Sequence, residues 1–217
     1  MVLCRERAKF PELSHRWLSY IVLALATCAA AFAQPQELHL DFSPANSTVN
    51  FTLGDVLHTV RGSFKLKHGD VDYTFATGAV QGALVIDATS GNSGNRSRDH
   101  KMHREILESE RYPEITFRPD RVQGFVAPAG VSTVAVHGIF SVHGADHEIT
   151  IPVRIELSPE HWTAYTHFTI PYVKWGMKNP STFLLRVSES VEIDIHAGGS
   201  DPFPKSPPSA TGGGAHP

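Results

Sequence analysis

Residues 149–157 read Ile-Thr-Ile-Pro-Val-Arg-Ile-Glu-Leu, apolar at every odd position and mostly polar at every even one. A period of two is the signature of a β-strand with one buried face. The same rule recurs along the chain. Val49, Phe51 and Leu53 alternate with Asn50 and Thr52. Val60, Gly62, Phe64 and Leu66 alternate with Arg61, Ser63, Lys65 and Lys67. Val80, Gly82, Leu84 and Ile86 form another inward row, and Ile115-Thr116-Phe117 begins a further strand. Val134, Val136, Phe140 and Val142 follow, then Trp162, Ala164, Phe168 and Ile170, then Leu185, Val187, Val191, Ile193 and Ile195. Turn-forming residues separate these runs at His68-Gly69-Asp70, Pro128-Ala129-Gly130, His143-Gly144 and Ser158-Pro159-Glu160. The loop at Gly144 is short, so the strands flanking it must be antiparallel neighbours. Pro152 has no amide hydrogen and marks an edge or a bulge. The expected fold class is therefore all-β and antiparallel, with about eight strands. Eight one-faced strands must close on themselves or pair with a second sheet, and periodicity does not choose between the two. Closure removes exposed edges and leaves an interior that is filled or holds one small ligand.

One segment breaks the alternation. Residues 99–109, Asp-His-Lys-Met-His-Arg-Glu-Ile-Leu-Glu-Ser, space their apolar members as a short helix does. Tyr112-Pro113 then turns the chain into the strand at Ile115, because the residue before proline is held extended. Met102, Ile106 and Leu107 share an apolar side, either as a lid over a pocket or as a stopper in a filled core. His100 and His103 are three apart and with Asp99 would make a partial metal set, but no third ligand follows from spacing, and no metal is expected. The stretch Ala88–Asn95 reads as a loose Gly/Asn-rich loop.

The ends differ in character. Arg5, Arg7, Lys9 and Arg16 precede the apolar run 17–26 and the small-x-small site Ala31-Phe32-Ala33, the order of a secretory signal over residues 1–33. Both cysteines, Cys4 and Cys28, lie within it, and lipidation of Cys28 stays open. The remaining chain then has no thiol nucleophile, no cysteine-bound zinc and no iron–sulfur cluster. Residues 198–217 are rich in Gly, Pro and Ser and read as a disordered tail, which leaves a domain over 37–197. The formal net charge of −3 offers no basic footprint for nucleic acid. No Ser/His/Asp order, phosphate-cradling loop or acid pair points to an enzyme, and none is expected.

Three motifs in order are His58-Thr59-Val60-Arg61-Gly62-Ser63-Phe64, then Asp99-His100-Lys101-Met102 with Tyr112-Pro113-Glu114-Ile115-Thr116-Phe117, then 136–144 leading into Ile149-Thr150-Ile151-Pro152-Val153. Together they resemble the YceI-like family over roughly residues 38–195. The resemblance implies a lipocalin-like barrel in the bacterial periplasm that holds a polyisoprenoid, such as a prenyl quinone or prenyl diphosphate, as ligand and not as a catalytic cofactor. On that reading Phe51, Val60, Phe64, Leu84, Ile86, Phe117, Phe140, Val153 and Phe168 face the tail. His58 and Arg61 meet the headgroup at the mouth, Met102 and Ile106 form the lid, and Trp175 lines the other end. The competing expectations are a stress-related interaction module with a filled barrel and an accessory quinone-holding partner of a membrane cytochrome. Transient membrane contact and homodimerisation stay open.

Overall fold

The computed structural model describes residues 37–54, 59–182 and 186–203. The expected signal segment, His58, Leu185 and the chain beyond Phe203 lie outside the described residues. Nine strands follow in order: β1 (Glu37–Phe42), β2 (Ser47–Gly54), β3 (Thr59–Thr74), β4 (Ala79–Asn92), β5 (Glu114–Gln123), β6 (Gly130–Val142), β7 (Ala145–Leu157), β8 (His161–Ile170) and β9 (Val191–Ser200). Between β4 and β5 the chain forms α1 (Arg96–Lys101) and a π-helical turn (Met102–Ile106).

All pairings are antiparallel, and the β3–β4 ladder closes the sheet into a ring. β2 pairs with residues 59–64 of β3, while β1 pairs with residues 69–74 of the same strand. β1 and β2 thus share one place in the barrel, broken by a turn at residues 43–46. There Asn46 accepts a hydrogen bond from the Ser43 amide at 2.7 Å and donates to the Asp41 carbonyl at 2.9 Å. Nine strands make an eight-position closed barrel, which decides the choice periodicity left open.

The alternating residues fill the interior. Val49, Phe51, Leu66, Ile86, Ile115, Phe117, Val134, Phe140, Val142, Ile151, Ile155, Leu157 and Trp162 are all buried. Their removal from water, at roughly 25 cal/mol per Å², holds a barrel whose described residues contain no cysteine. At one end, Trp162 packs on Phe42 with ring centroids 5.0 Å apart, and Val126 from the β5–β6 loop is buried over them. This end is closed. The other carries α1, the π-helical turn and the excursion between β8 and β9.

Four sequence readings change here. β1 supplies a ninth strand whose apolar row is only Leu38, Leu40 and Phe42. His68-Gly69-Asp70 is not a turn; it lies inside the continuous β3. A register shift between Leu66 and His68 adds one residue, so the buried positions move from Leu66 to Gly69 and Tyr73, an odd instead of an even row. Ala88–Asn95 is not a loose loop: β4 continues to Asn92, and the Asn95 side chain caps α1 by accepting from the Arg98 amide at 3.1 Å. The helix therefore begins at Arg96, not residue 99, and regular helix stops at Ile106, with Glu108 at φ +46° turning the chain away.

The fourth change concerns residue 198. Gly198, Gly199 and Ser200 continue β9 and pair with Thr163, Trp162 and His161. Glycine is used here for space, since a Cβ on Gly199 would lie 2.7 Å from the Trp162 indole nitrogen. Beyond the strand, the Pro202 carbonyl accepts from the His39 amide at 2.8 Å, and Pro202 is fully buried. The tail reading is corrected as far as Phe203.

Candidate functional site

A cavity of about 530 Å³ occupies the helix end of the barrel. Its walls come from the inward rows of seven strands: Val49, Phe51 and Leu53 of β2, Val60 and Phe64 of β3, Ile86 of β4, Ile115 of β5, Phe140 and Val142 of β6, Phe168 and Ile170 of β8, and a row of β9. β9 adds Val191, Ile193 and Ile195. Two glycines let rings lie flat against the wall. A Cβ on Gly62 would sit 2.4 Å from Phe51, and one on Gly91 would sit 2.6 Å from both Phe64 and Met102. The Phe51 and Phe64 rings meet at 5.3 Å.

The π-helical turn roofs this space. Met102, Ile106 and Leu107 line it from above, yet no residue of α1 or of the turn is fully buried. A stopper in a filled core would be buried on every side, so these residues cover a hollow. His103 fixes the roof to the barrel. Its Nε2 donates to the Gly91 carbonyl at 2.9 Å, which leaves Nδ1 to accept from the Ser109 hydroxyl at 3.0 Å. Both ring nitrogens are thus committed to protein groups. Among the described residues no cluster of three or more His, Cys, Asp or Glu is arranged to hold a metal ion.

The third wall is the excursion after β8, with Tyr172, Met177, Pro180, Thr182 and Val187 facing the cavity. Tyr172 donates to the Ser188 carbonyl at 2.7 Å, and burial pushes its phenol pKa up. Two polar contacts clasp this wall to the roof. Lys178 pairs with Glu105 at 2.8 Å, which holds that carboxyl below its ordinary pKa, and Lys101 donates to the Pro180 carbonyl at 3.3 Å.

The entrance is polar where the floor is not. Ser93, Asn95, Ser97, Arg98 and Lys101 line the rim. Arg98 donates from Nε to the Ser93 hydroxyl and from Nη2 to the Ser93 carbonyl, each at 2.7 Å. Asp99 accepts from the Ser93 amide at 2.8 Å, so the rim is tied into α1 from two sides.

A second, smaller cavity of about 140 Å³ lies deeper. Leu84, Phe117 and Val153 line it, together with Phe42 and Tyr73 from the closed end. Ile86, Phe140, Phe168 and Ile195 border both cavities, and the Phe140 and Phe168 rings stand edge to face at 6.3 Å between them. The interior is two chambers in series.

Of the residues expected to meet a ligand, Phe51, Val60, Phe64, Ile86, Met102, Ile106, Phe140 and Phe168 line the outer chamber. Leu84, Phe117 and Val153 line only the inner one. Two placements need correction. Arg61 lines neither chamber; with Val60 turned inward, the two-residue period puts Arg61 on the exposed outer face. Trp175 also lines neither. It stacks on His147 at 4.1 Å with the rings 4° from parallel, and lies 5.8 Å from Phe140, so it backs the wall one layer out. His58 lies outside the described residues. The rim cations Arg98 and Lys101 were not anticipated. Helical spacing was the available signal, since Arg98 stands four residues before Met102 and three before Lys101.

The family profile described as the YceI-like domain matches residues 40–198. The chain belongs to the YceI-like family. Solved structures share the fold of this YceI-like barrel. Burkholderia cenocepacia BcnA is 18% identical with a TM-score of 0.60, covering 70% of this chain and 96% of its own. A polyisoprenoid binding domain from Saccharophagus degradans gives the same identity and TM-score, covering 76% and 99%. The Campylobacter jejuni YCEI protein is 13% identical with a TM-score of 0.52, covering 63% and 80%. Among curated sequences, a UDP-N-acetylglucosamine 1-carboxyvinyltransferase 1 of Staphylococcus epidermidis is 27% identical over 144 residues. That match takes in 64% of this chain but only 31% of the transferase's length.

Proposed function

We propose that this protein binds a long apolar lipid, a polyisoprenoid, inside the barrel and carries, stores or sequesters it in the periplasm. The observation that carries the reading is the apolar chamber of about 530 Å³ beneath the π-helical turn. Its size falls in the range of roughly 300–1,000 Å³ typical of small-molecule sites. Each methylene buried there contributes about 0.8 kcal/mol, so a prenyl chain can be held by area alone. Polar groups at the rim, Arg98 and Lys101 among them, suit the water-facing side of such a site. The S. degradans neighbour, a polyisoprenoid binding domain, supports the choice of ligand class. The charged-then-apolar N-terminal pattern supports export. A hollow interior favours this reading over a barrel packed solid. The transferase match spans only 31% of that enzyme's length and adds no catalytic reading.

The test is organic extraction of purified protein followed by mass spectrometry. A prenyl lipid should be released in near-stoichiometric amount. Repeated recovery of empty protein that also fails to take up added ubiquinone would overturn the reading.

A further inference from the structure

The charges of the described chain are sorted by place. The two connections that build the open end, residues 93–113 and 171–190, carry eight Lys and Arg against five Asp and Glu. The described remainder, most of it strand, carries six against fourteen. An open end that is net positive by three thus sits on a barrel body that is net negative by eight. Within the open end most carboxylates are matched. Glu105 pairs with Lys178 at 2.8 Å, Glu108 with Arg111 at 3.8 Å, and Asp99 accepts from the Ser93 amide. Most cations are not. Arg98 and Lys101 bond to neutral oxygens of Ser93 and Pro180. Arg96, Arg104, Lys174 and Arg186 are exposed, with no ion pair among the described residues. These six form a basic collar around the mouth of the outer chamber. On the strand ends nearest to it, Glu114 is held by Lys67 at 3.0 Å and Asp146 by Arg118 at 3.6 Å, while Glu148 and Glu192 approach it unpaired. Asp41, Asp70 and Asp72 lie on β1 and the far half of β3, toward the closed pole.

Resting on the lipid-binding reading above, we propose that the open end docks on an anionic bilayer surface and exchanges lipid there. A basic collar is drawn to anionic headgroups and a negative body is pushed from them, so the charge pattern turns the mouth toward the membrane. Screening preserves that orientation. A 13-residue strand such as β6 spans roughly 40 Å, whereas salt at about 0.1 M screens charges beyond about 10 Å. The collar acts on a surface it touches, and the charge at the closed pole lies outside that distance. Arg98 and Lys101 belong to the collar and also line the chamber, so the docking surface and the opening coincide. A lipid chain that slides from bilayer to chamber through a docked mouth keeps its methylenes out of water.

Cosedimentation with two kinds of vesicle tests this, phosphatidylcholine alone and phosphatidylcholine with phosphatidylglycerol added. The protein should bind the anionic vesicles and not the neutral ones, and should lose that binding as salt rises from about 0.05 to about 0.5 M. Arg104→Glu with Lys174→Glu reverses two collar charges that line neither chamber, and should weaken binding to anionic vesicles by roughly tenfold or more. Arg121→Glu with Arg154→Glu makes the same change of net charge on β5 and β7, and should leave that binding within about twofold. Uptake of ubiquinone from anionic vesicles should slow in the collar variant, while uptake from dodecyl maltoside micelles keeps the parent's rate. Equal binding to both kinds of vesicle, or equal losses in the two variants, would overturn the docking surface. Lipid uptake from micelles by a protein that binds no vesicle would also overturn it and would leave the lipid-binding reading standing. Salt- and collar-dependent vesicle binding with no lipid uptake from either source would support the docking surface and sink that reading.

Discussion

Gly144 shows how one residue can hold an end of the barrel together. It closes the β6–β7 hairpin with His143, His143 at φ +52° and Gly144 at +75°, in the two-residue loop such hairpins favour. The Tyr112 ring occupies the space a side chain would need, 2.4 Å from an ideal Cβ. Gly144→Ala should therefore lose about 2 kcal/mol or more, from backbone strain plus overpacking, read as a shift in denaturant midpoint. Adding Tyr112→Ala should relieve the clash and leave the strain. His147 makes a second case. Burial against Trp175 lowers its pKa, and its buried Nε2 has no partner. The unfolded chain then binds the proton more readily than the folded one. The stabilisation is complete above the ordinary histidine pKa of about 6.5 and is lost as pH falls below it. Melting temperature should drop on acidification from pH 7.5 to 5, and less so in His147→Phe, which keeps the stacking without the titration. A drop of equal size in the variant would show that other groups are responsible.

At the scale of elements, the roof is the part that does not pack like the rest. The turn that holds Ile106 presents a half-buried apolar edge to the cavity and a charged edge to water. Ile106→Asp should cut lipid retention at least tenfold, because a carboxylate would face an apolar chamber. It should lower the melting temperature by only a few degrees, since the turn is not part of the closed ring. Matched losses of retention and stability would count against a lid. The rows of β6, β7 and β8 were readable in sequence because each strand keeps one parity from end to end. β3 was misread at Gly69 because a bulge imitates turn composition while changing parity. Pro152 was read well: the β7–β8 ladder runs over 153–157 and stops beside it. The roof could be located by its broken alternation, but not its start at Asn95, since a cap is one side chain among several polar ones. The inner chamber had no sequence signal, because a void is set by how rows from opposite walls fail to meet.

For the molecule as a whole, the ring is not equally laced around its circumference. β4 meets β5 only over residues 84–87, and β7 meets β8 only over 153–157, whereas β6 and β7 pair over their full lengths. Hydrogen exchange should be fastest for amides beside these two short seams and slowest in β6–β7. Uniform protection around the barrel would contradict this. Closure, the two-chamber interior and the polar rim follow from which rows face inward. The sequence carried that information except where a bulge or a glycine-rich strand disguised it.

The interrupted first position, where β1 stands apart from β2, bears on how the protein can be handled and attached. β1 begins opposite Thr74, and Pro202 is bonded to His39, so the described chain enters and leaves at the closed pole, beside Trp162. The rim of the outer chamber, the proposed port for lipid, faces the other way. A surface tether or reporter joined beyond Phe203 has its first anchored residue as far from that port as the barrel allows. Protein immobilised through its C-terminus should exchange lipid at the rate of free protein, and a marked slowing would show that the port lies elsewhere.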